Sequence, residues 1–329
     1  MTIHPTVSYL LKRLAQAVPT CLLIVLLSFV LLQVAPGDMA DVVAAESGAS
    51  TQEYMDELRQ LYGLDVPAHQ QFFNYLRNLA RLDLGYSHRE NEPIAQLILD
   101  RVPATLTLAL FSTAFAAVFG VLLGVLAAKY RGTWLDTAIS TISSIGFATP
   151  MFWVGLMLIV VFSIHLRWFS VGGMSTVGRE YAGWFDYARD VARHVVLPGL
   201  SLGFFYMSIY VRTTRSAMLE VYGHDFVRTA RAKGVGERRI LFRHILRNAL
   251  LPIVTLTGVE IGGILGGTVV IETVFSWPGI GRLAYDAVLA RDLNLLLGIF
   301  LCSSALVVIT NLVVDLIYVL IDPRIEVAK

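Results

Sequence analysis

Asp225-Phe226-Val227-Arg228-Thr229-Ala230-Arg231-Ala232-Lys233-Gly234 lies in the most basic stretch of the chain, Arg212 to Arg247, between an apolar run at Val195–Val211 and another at Ala249–Val270. Read locally, Asp225 suits an N-cap and Gly234 the position just past a helix end, with about two turns between them. The basic residues gather toward the C-terminal half, where they complement the helix dipole. Small residues Thr229, Ala230 and Ala232 beside Arg228, Arg231 and Lys233 give a short helix shaped to enter a groove on another protein. The competing reading is a basic loop that merely fixes topology and rests on anionic lipid.

Working outward, the two flanking runs belong to a larger set. The 329 residues are 56% hydrophobic and only 16% charged, with a net charge of +1. That balance exceeds what a water-soluble domain buries, and it gives no bulk field to attract nucleic acid. Apolar stretches at Leu14–Val34, Pro103–Ala128, Thr137–His165, Val195–Val211, Ala249–Val270 and Leu295–Leu320 suit a hydrocarbon core of ~30 Å. The expectation is an all-α membrane protein of about six transmembrane helices. Lys12 and Arg13 before the first run resemble a signal peptide, but Pro36-Gly37-Asp38 follows where a small-residue cleavage site belongs, so an uncleaved anchor is expected. Proline at the start of the second run reads as a helix-initiating residue, and Thr149-Pro150 as a kink in the third.

The expected domains are an anchor at 1–36, a polar insert at 37–102, a membrane core at 103–320 with a loop at 212–248, and a tail at 321–329. The insert carries a helical-looking segment from Thr51 to Tyr62. One side of the six-span arrangement holds fifteen of the 26 Lys and Arg residues, in the shorter loops. That side is expected to be cytoplasmic, with both termini on it and the insert outside.

The basic loop also resembles a known family. Thr229-Ala230-Arg231-Ala232-Lys233-Gly234, continuing through Glu237-Arg238-Arg239 to His244-Ile245-Leu246-Arg247-Asn248-Ala249-Leu250-Leu251-Pro252, is similar to the cytoplasmic coupling loop of binding-protein-dependent ABC importer permeases. It departs from the general pattern of that superfamily, with Arg228-Thr229-Ala230 in place of Glu-Ala-Ala and Arg247 in place of a proline, and fits the dipeptide, oligopeptide and nickel branch almost residue by residue. In order along the chain, Pro36-Gly37-Asp38, Tyr62-Gly63-Leu64-Asp65-Val66-Pro67, Asp83-Leu84-Gly85-Tyr86-Ser87, Arg101-Val102-Pro103-Ala104-Thr105-Leu106, Glu272 to Arg282 and Asp322-Pro323-Arg324 resemble the same branch, in its first, dipeptide-permease-B-like subunit.

The resemblance implies a type I importer fold: a five-helix, MetI-like core with an extra N-terminal helix and a periplasmic insert. It implies half of a pore for di- or oligopeptides or a related small solute, in the bacterial inner membrane, opened by alternating access. The implied partners are a second homologous permease, two ATPase subunits carrying ATP and Mg, a periplasmic or lipid-anchored substrate-binding protein and membrane lipid, with no nucleic acid. Asp225, Arg228, Thr229, Ala230, Arg231, Ala232, Lys233 and Gly234 would form the coupling helix.

Other features carry two readings each. Gly258, Gly262 and Gly266 stand four apart, with Gly263 and Gly267 beside them, and admit close approach of a helix at the pore, at the partner permease or within this chain. Glu260 in the same run either lines the pathway or pairs between helices, and Asp315 reads as a structural pairing site. Trp277-Pro278-Gly279 reads as part of an aromatic belt or as a segment closing the outer mouth.

Gly199-Leu200-Ser201-Leu202-Gly203 matches a hydrolase elbow by letter only, because it opens a membrane helix and lacks the strand such an elbow needs. No zinc motif and no Gly-Lys of a phosphate loop occurs, so neither a catalytic, a metal nor a cofactor site is expected, and ATP hydrolysis belongs to other chains. Cys21 and Cys302 read as buried small side chains. The alternative class, an ion-coupled secondary carrier, calls for paired half-repeats and several buried ionisable groups, whereas this chain offers chiefly Glu260 and Asp315.

Overall fold

Membrane-length helices dominate the computed structural model, which describes residues 19–20, 22–27, 29–30, 33–34, 37–47, 51–81, 83–87 and 89–321. The first expected span lies only in part within those residues, and Cys21, Asp322-Pro323-Arg324 and nearly all of the tail lie outside them, as does the side chain of Asp315. Among the described residues four helices are long and apolar enough to cross a membrane, or five if one sharply bent pair forms a single span.

One compact unit takes the described residues up to Thr105 together with Pro278–Leu312. Its insert opens with α1, Met39–Ser47, whose start is closed by a reciprocal cap. The Asp41 backbone N–H donates to Asp38 Oδ1 at 2.9 Å, and the Asp38 N–H donates to Asp41 Oδ2 at 2.7 Å. Arg59 of α2, Gln52–Leu61, donates to both carboxylates and so ties the two helices together. α3, Ala68–Leu79, buries Tyr75 against Val25, Phe29 and Leu297.

A two-residue hairpin, β1 at Tyr86–Ser87 and β2 at Glu92–Pro93, leads into α4, Ile94–Lys129. Proline therefore does not start this helix, as expected from sequence, but stands inside it at Pro103. The additional turns form because Ile94, Leu97 and Ile98 give them an apolar face, buried against Ile280 and Leu283 of α11, Ile280–Ala290, and Leu295 and Leu296 of α12, Leu293–Ile321.

The second unit takes Leu106–Trp277. After α4 come α5, Trp134–Ala148, and α6, Met151–Leu158, which runs on through a π-helical stretch to His165. The chain bends by 100° between them at Thr149-Pro150, so the proline breaks this segment where a kink was expected. α7, Trp184–Tyr222, extends well beyond the apolar run Val195–Val211 at both ends.

Small residues let α4 and α7 approach closely: a Cβ at Gly199 would fall 2.1 Å from Phe111, and one at Gly203 2.7 Å from Phe115. Ser201 between them donates to the Met151 carbonyl at 2.6 Å. The Gly-Leu-Ser-Leu-Gly motif is thus a packing seam. α5 is fixed to α7 by Asp136, which receives Arg215 Nε at 2.7 Å and Nη2 at 2.9 Å.

Candidate functional site

α7 ends at Tyr222 and a short helix follows at once: α8, Asp225–Ala232. His224, with extended backbone, occupies the cap, and Asp225 is the first helical residue, a shift of one position from the sequence expectation. No side chain caps this end, so the carboxylate of Asp225 supports it through the helix dipole.

The other end is built more tightly. Gly234 has φ +75°, a left-handed conformation that costs a residue with a Cβ. The Gly234 N–H donates to the Arg231 carbonyl at 2.9 Å and the Val235 N–H to the Ala230 carbonyl at 3.1 Å. Those two bonds make a Schellman motif, and Val235 packs beside Ala230 as its hydrophobic contact.

The two faces of α8 differ sharply. Val227 is fully buried and Ala230 nearly so, in a core with Met218 and Val221 of α7 and with Ile240, Ile245 and Ala249. Ala230 therefore points into its own chain and belongs to the seating of the helix, not to the outward small-residue surface expected for it. Arg228, Thr229, Arg231, Ala232, Lys233 and Gly234 are exposed, as is Asp225.

Arg228 is 75% exposed and reaches Asp225 only at 3.7 Å. Arg231 is more committed: its Nε donates to Glu237 at 2.7 Å and its Nη2 at 3.3 Å, and the guanidinium lies over the Tyr222 ring. That hydrogen bonding raises the Arg231 pKa further, so it stays a cation throughout any working range. Phe226, stacked on His224 and 42% exposed, adds an apolar contact to the same surface. Sequence reasoning passed over Phe226. Its signal was a large aromatic at the edge of the Val227–Ala230 face, one turn before Ala230, where a short helix leaves it partly uncovered.

Beyond Gly234, one turn at Glu237–Arg239 and a π-helical run at Ile240–Leu246 lead without interruption into α9, Arg247–Gly267, which α10, Val269–Val274, follows. α8 is thus held rigidly at both ends, between α7 and α9. Gly258 on α9 is buried and Glu260 half-buried, within electrostatic reach of Tyr206 and Tyr210 of α7. Gly262 and Gly266 lie on the helix, where only the backbone is described. Trp277 is fully buried, as is Phe275, so burial within the protein replaces the aromatic-belt reading. No group of three or more potential metal ligands occurs among the described residues.

Comparison with known proteins follows the same lines. The family model described as binding-protein-dependent transport system inner membrane component matches residues 120–327, and the model for the N-terminal part of such components matches residues 6–109. The di/tripeptide transport system permease protein DppB of Pseudomonas aeruginosa is 40% identical, covering 97% of this chain and 98% of its own. The oligopeptide transport system permease protein AppB of Bacillus subtilis is 40% identical over 97% of this chain and 99% of its own. The dipeptide permease protein DppB of Escherichia coli is 36% identical over 98% and 99%. Among solved structures, the MetNI methionine ABC transporter shares the fold at a TM-score of 0.53 and 18% identity, over 69% of this chain and 97% of the matched one.

Proposed function

We propose, from the premise that this chain belongs to the family of binding-protein-dependent transport system inner membrane components, that α8 is the element through which partner ATPases drive transport. The chain is a permease subunit of an ATP-binding cassette importer of the peptide class, an inner-membrane component working with ATPase and substrate-binding partners. In our reading a second homologous permease completes the pore and two ATPases bind on the cytoplasmic side. Both termini and α8 face that side, and the insert 37–102 faces outward, where the binding protein docks. Catalysis, ATP and Mg belong to the partners.

One observation carries the role of α8: a cationic, partly aromatic outer face on a helix whose inner face is locked into the core between α7 and α9. Arg228, Phe226 and Lys233 supply charge and shape to an ATPase groove, while Val227, Ala230 and Val235 transmit its displacement. Closure of the ATPases on ATP then moves α8 as a body and pushes α7 and α9 toward the arrangement that opens the other way. ATP sets the direction only in so far as it binds one arrangement more tightly.

The test is ATP-driven dipeptide uptake by the importer reconstituted in vesicles. Arg228→Glu is expected to cut uptake and transport-coupled ATP hydrolysis at least tenfold with membrane insertion unchanged. Normal uptake by that variant contradicts the assignment, and uptake that survives ATP depletion on an ion gradient restores the secondary-carrier reading.

A further inference from the structure

A cavity of about 250 Å³ lies between α3, the turn that follows α11 and the start of α12, with residues remote in sequence from α8 and α9. Phe29, Tyr62 and Tyr75 line it with aromatic rings, and Asn74 and Asn78, one helical turn apart, present carboxamides together with Asn294. All three asparagines are exposed at the cavity mouth, and no side-chain hydrogen bond within the described residues occupies their carboxamides.

The neighbouring polar groups are already committed. Gln71 donates to the Val66 carbonyl at 2.9 Å and accepts from Gln33 at 3.1 Å. Asp292 receives the Ser87 hydroxyl and, at 3.0 Å, the Leu295 N–H as the cap of α12.

Arg291 is the unusual member. It ends α11 at φ +52° and ψ 31°, a left-handed conformation ordinarily given to Gly or Asn. A long cation is thus held at the cavity where a glycine would relieve the backbone. Only its Nη1 is bonded among the described residues, to the Gly37 carbonyl at 2.9 Å.

We propose that this cavity binds the C-terminal end of a short peptide, with Arg291 on the carboxylate, the three asparagines on backbone amide groups and the rings on an apolar side chain. Carboxamides both donate and accept, as peptide amides do, so they match this ligand atom for atom. A small inorganic anion would leave the carboxamides and the rings without contacts, and a purely apolar ligand would cover the carboxamides without giving them partners. The volume lies just under the ~300 Å³ at which pockets for drug-sized ligands begin, which limits the ligand to about two residues. This site deepens the peptide-importer reading and rests on it: the permease itself, besides the binding protein, would contact substrate.

The experiment measures binding of alanyl-phenylalanine, and of its C-terminal amide, to the importer assembled without the binding protein. Wild type is expected to bind the acid saturably and the amide about tenfold more weakly. Arg291→Gly, which suits the left-handed backbone and so preserves folding, is expected to weaken the acid about tenfold and leave the amide unchanged. Asn74→Ala with Asn78→Ala is expected to weaken both.

Absence of saturable binding, or equal affinities across these variants, overturns the site. So does an Arg291→Gly variant that binds peptide normally and loses affinity for the binding protein, because the cavity is then a docking socket. Uptake is read in vesicles holding the same importer, with the binding protein restored. ATP-driven uptake without peptide binding sinks the site alone, and peptide binding without ATP-driven uptake sinks the importer reading alone.

Discussion

Gly234 fixes the shape of the outer face of α8, which we propose as the coupling surface. Gly234→Ala places a Cβ at φ +75°, at a cost of roughly 1 to 2 kcal/mol, and loosens the Schellman turn that fixes the last turn of α8. We expect the variant to insert normally and to lose several-fold in ATP-driven uptake, measured in vesicles. Asp136 and Arg215 make the second decisive contact. Asp136→Asn is expected to destabilise the chain by about 2 kcal/mol, less than for a fully buried pair because Arg215 remains 31% exposed. Thermal unfolding in detergent reads that loss, and the double variant Asp136→Arg with Arg215→Asp is expected to recover part of it. At this scale the helix-ending place of Gly234 and the exposure of Arg228 were legible, since a glycine after a short polar helix has one ordinary use. The inward turn of Ala230, the exposure of Phe226 and the Asp136–Arg215 pair were not. Their roles depend on which face α8 buries and on partners 79 residues apart.

Among the elements, α8 is the one whose function and stability can be separated. Arg231 is held by Glu237, so reversing Arg231 alone removes both a local pair and an outward charge. Arg231→Glu combined with Glu237→Arg restores the local pair only. If Arg231 serves the seating of α8, the double variant transports normally; if it contacts the ATPase, as the exposed face of α8 suggests, transport stays several-fold reduced while the thermal stability of the chain returns. The prolines show how far local signals reach at this scale. Pro150 marked an interruption, but its 100° angle depends on neighbours that sequence does not reveal. Pro103 was read as a beginning because initiation is its commonest helical use, yet burial of Ile94, Leu97 and Ile98 outweighed the hydrogen bond that Pro103 forfeits.

For the whole molecule, hydropathy was the strongest guide, because a lipid-spanning helix must satisfy its backbone internally and so declares itself over about twenty residues. The runs at α4, α7, α9 and α12 were each located this way, with helix ends displaced where amphipathic turns continue beyond the apolar stretch. The association of α11 with the start of α4 was invisible, since Thr105, whose hydroxyl receives the Ile280 N–H at 2.8 Å, lies 175 residues away. The transport cycle rests on one claim, that α8 is gripped by an ATPase. Cross-linking from a cysteine at position 228 in the assembled importer tests it most directly. A covalent adduct with the ATPase subunit, its yield changing when ATP is added, is the predicted result; reaction of that cysteine only with an impermeant reagent added outside intact cells, with no ATPase adduct, would contradict it.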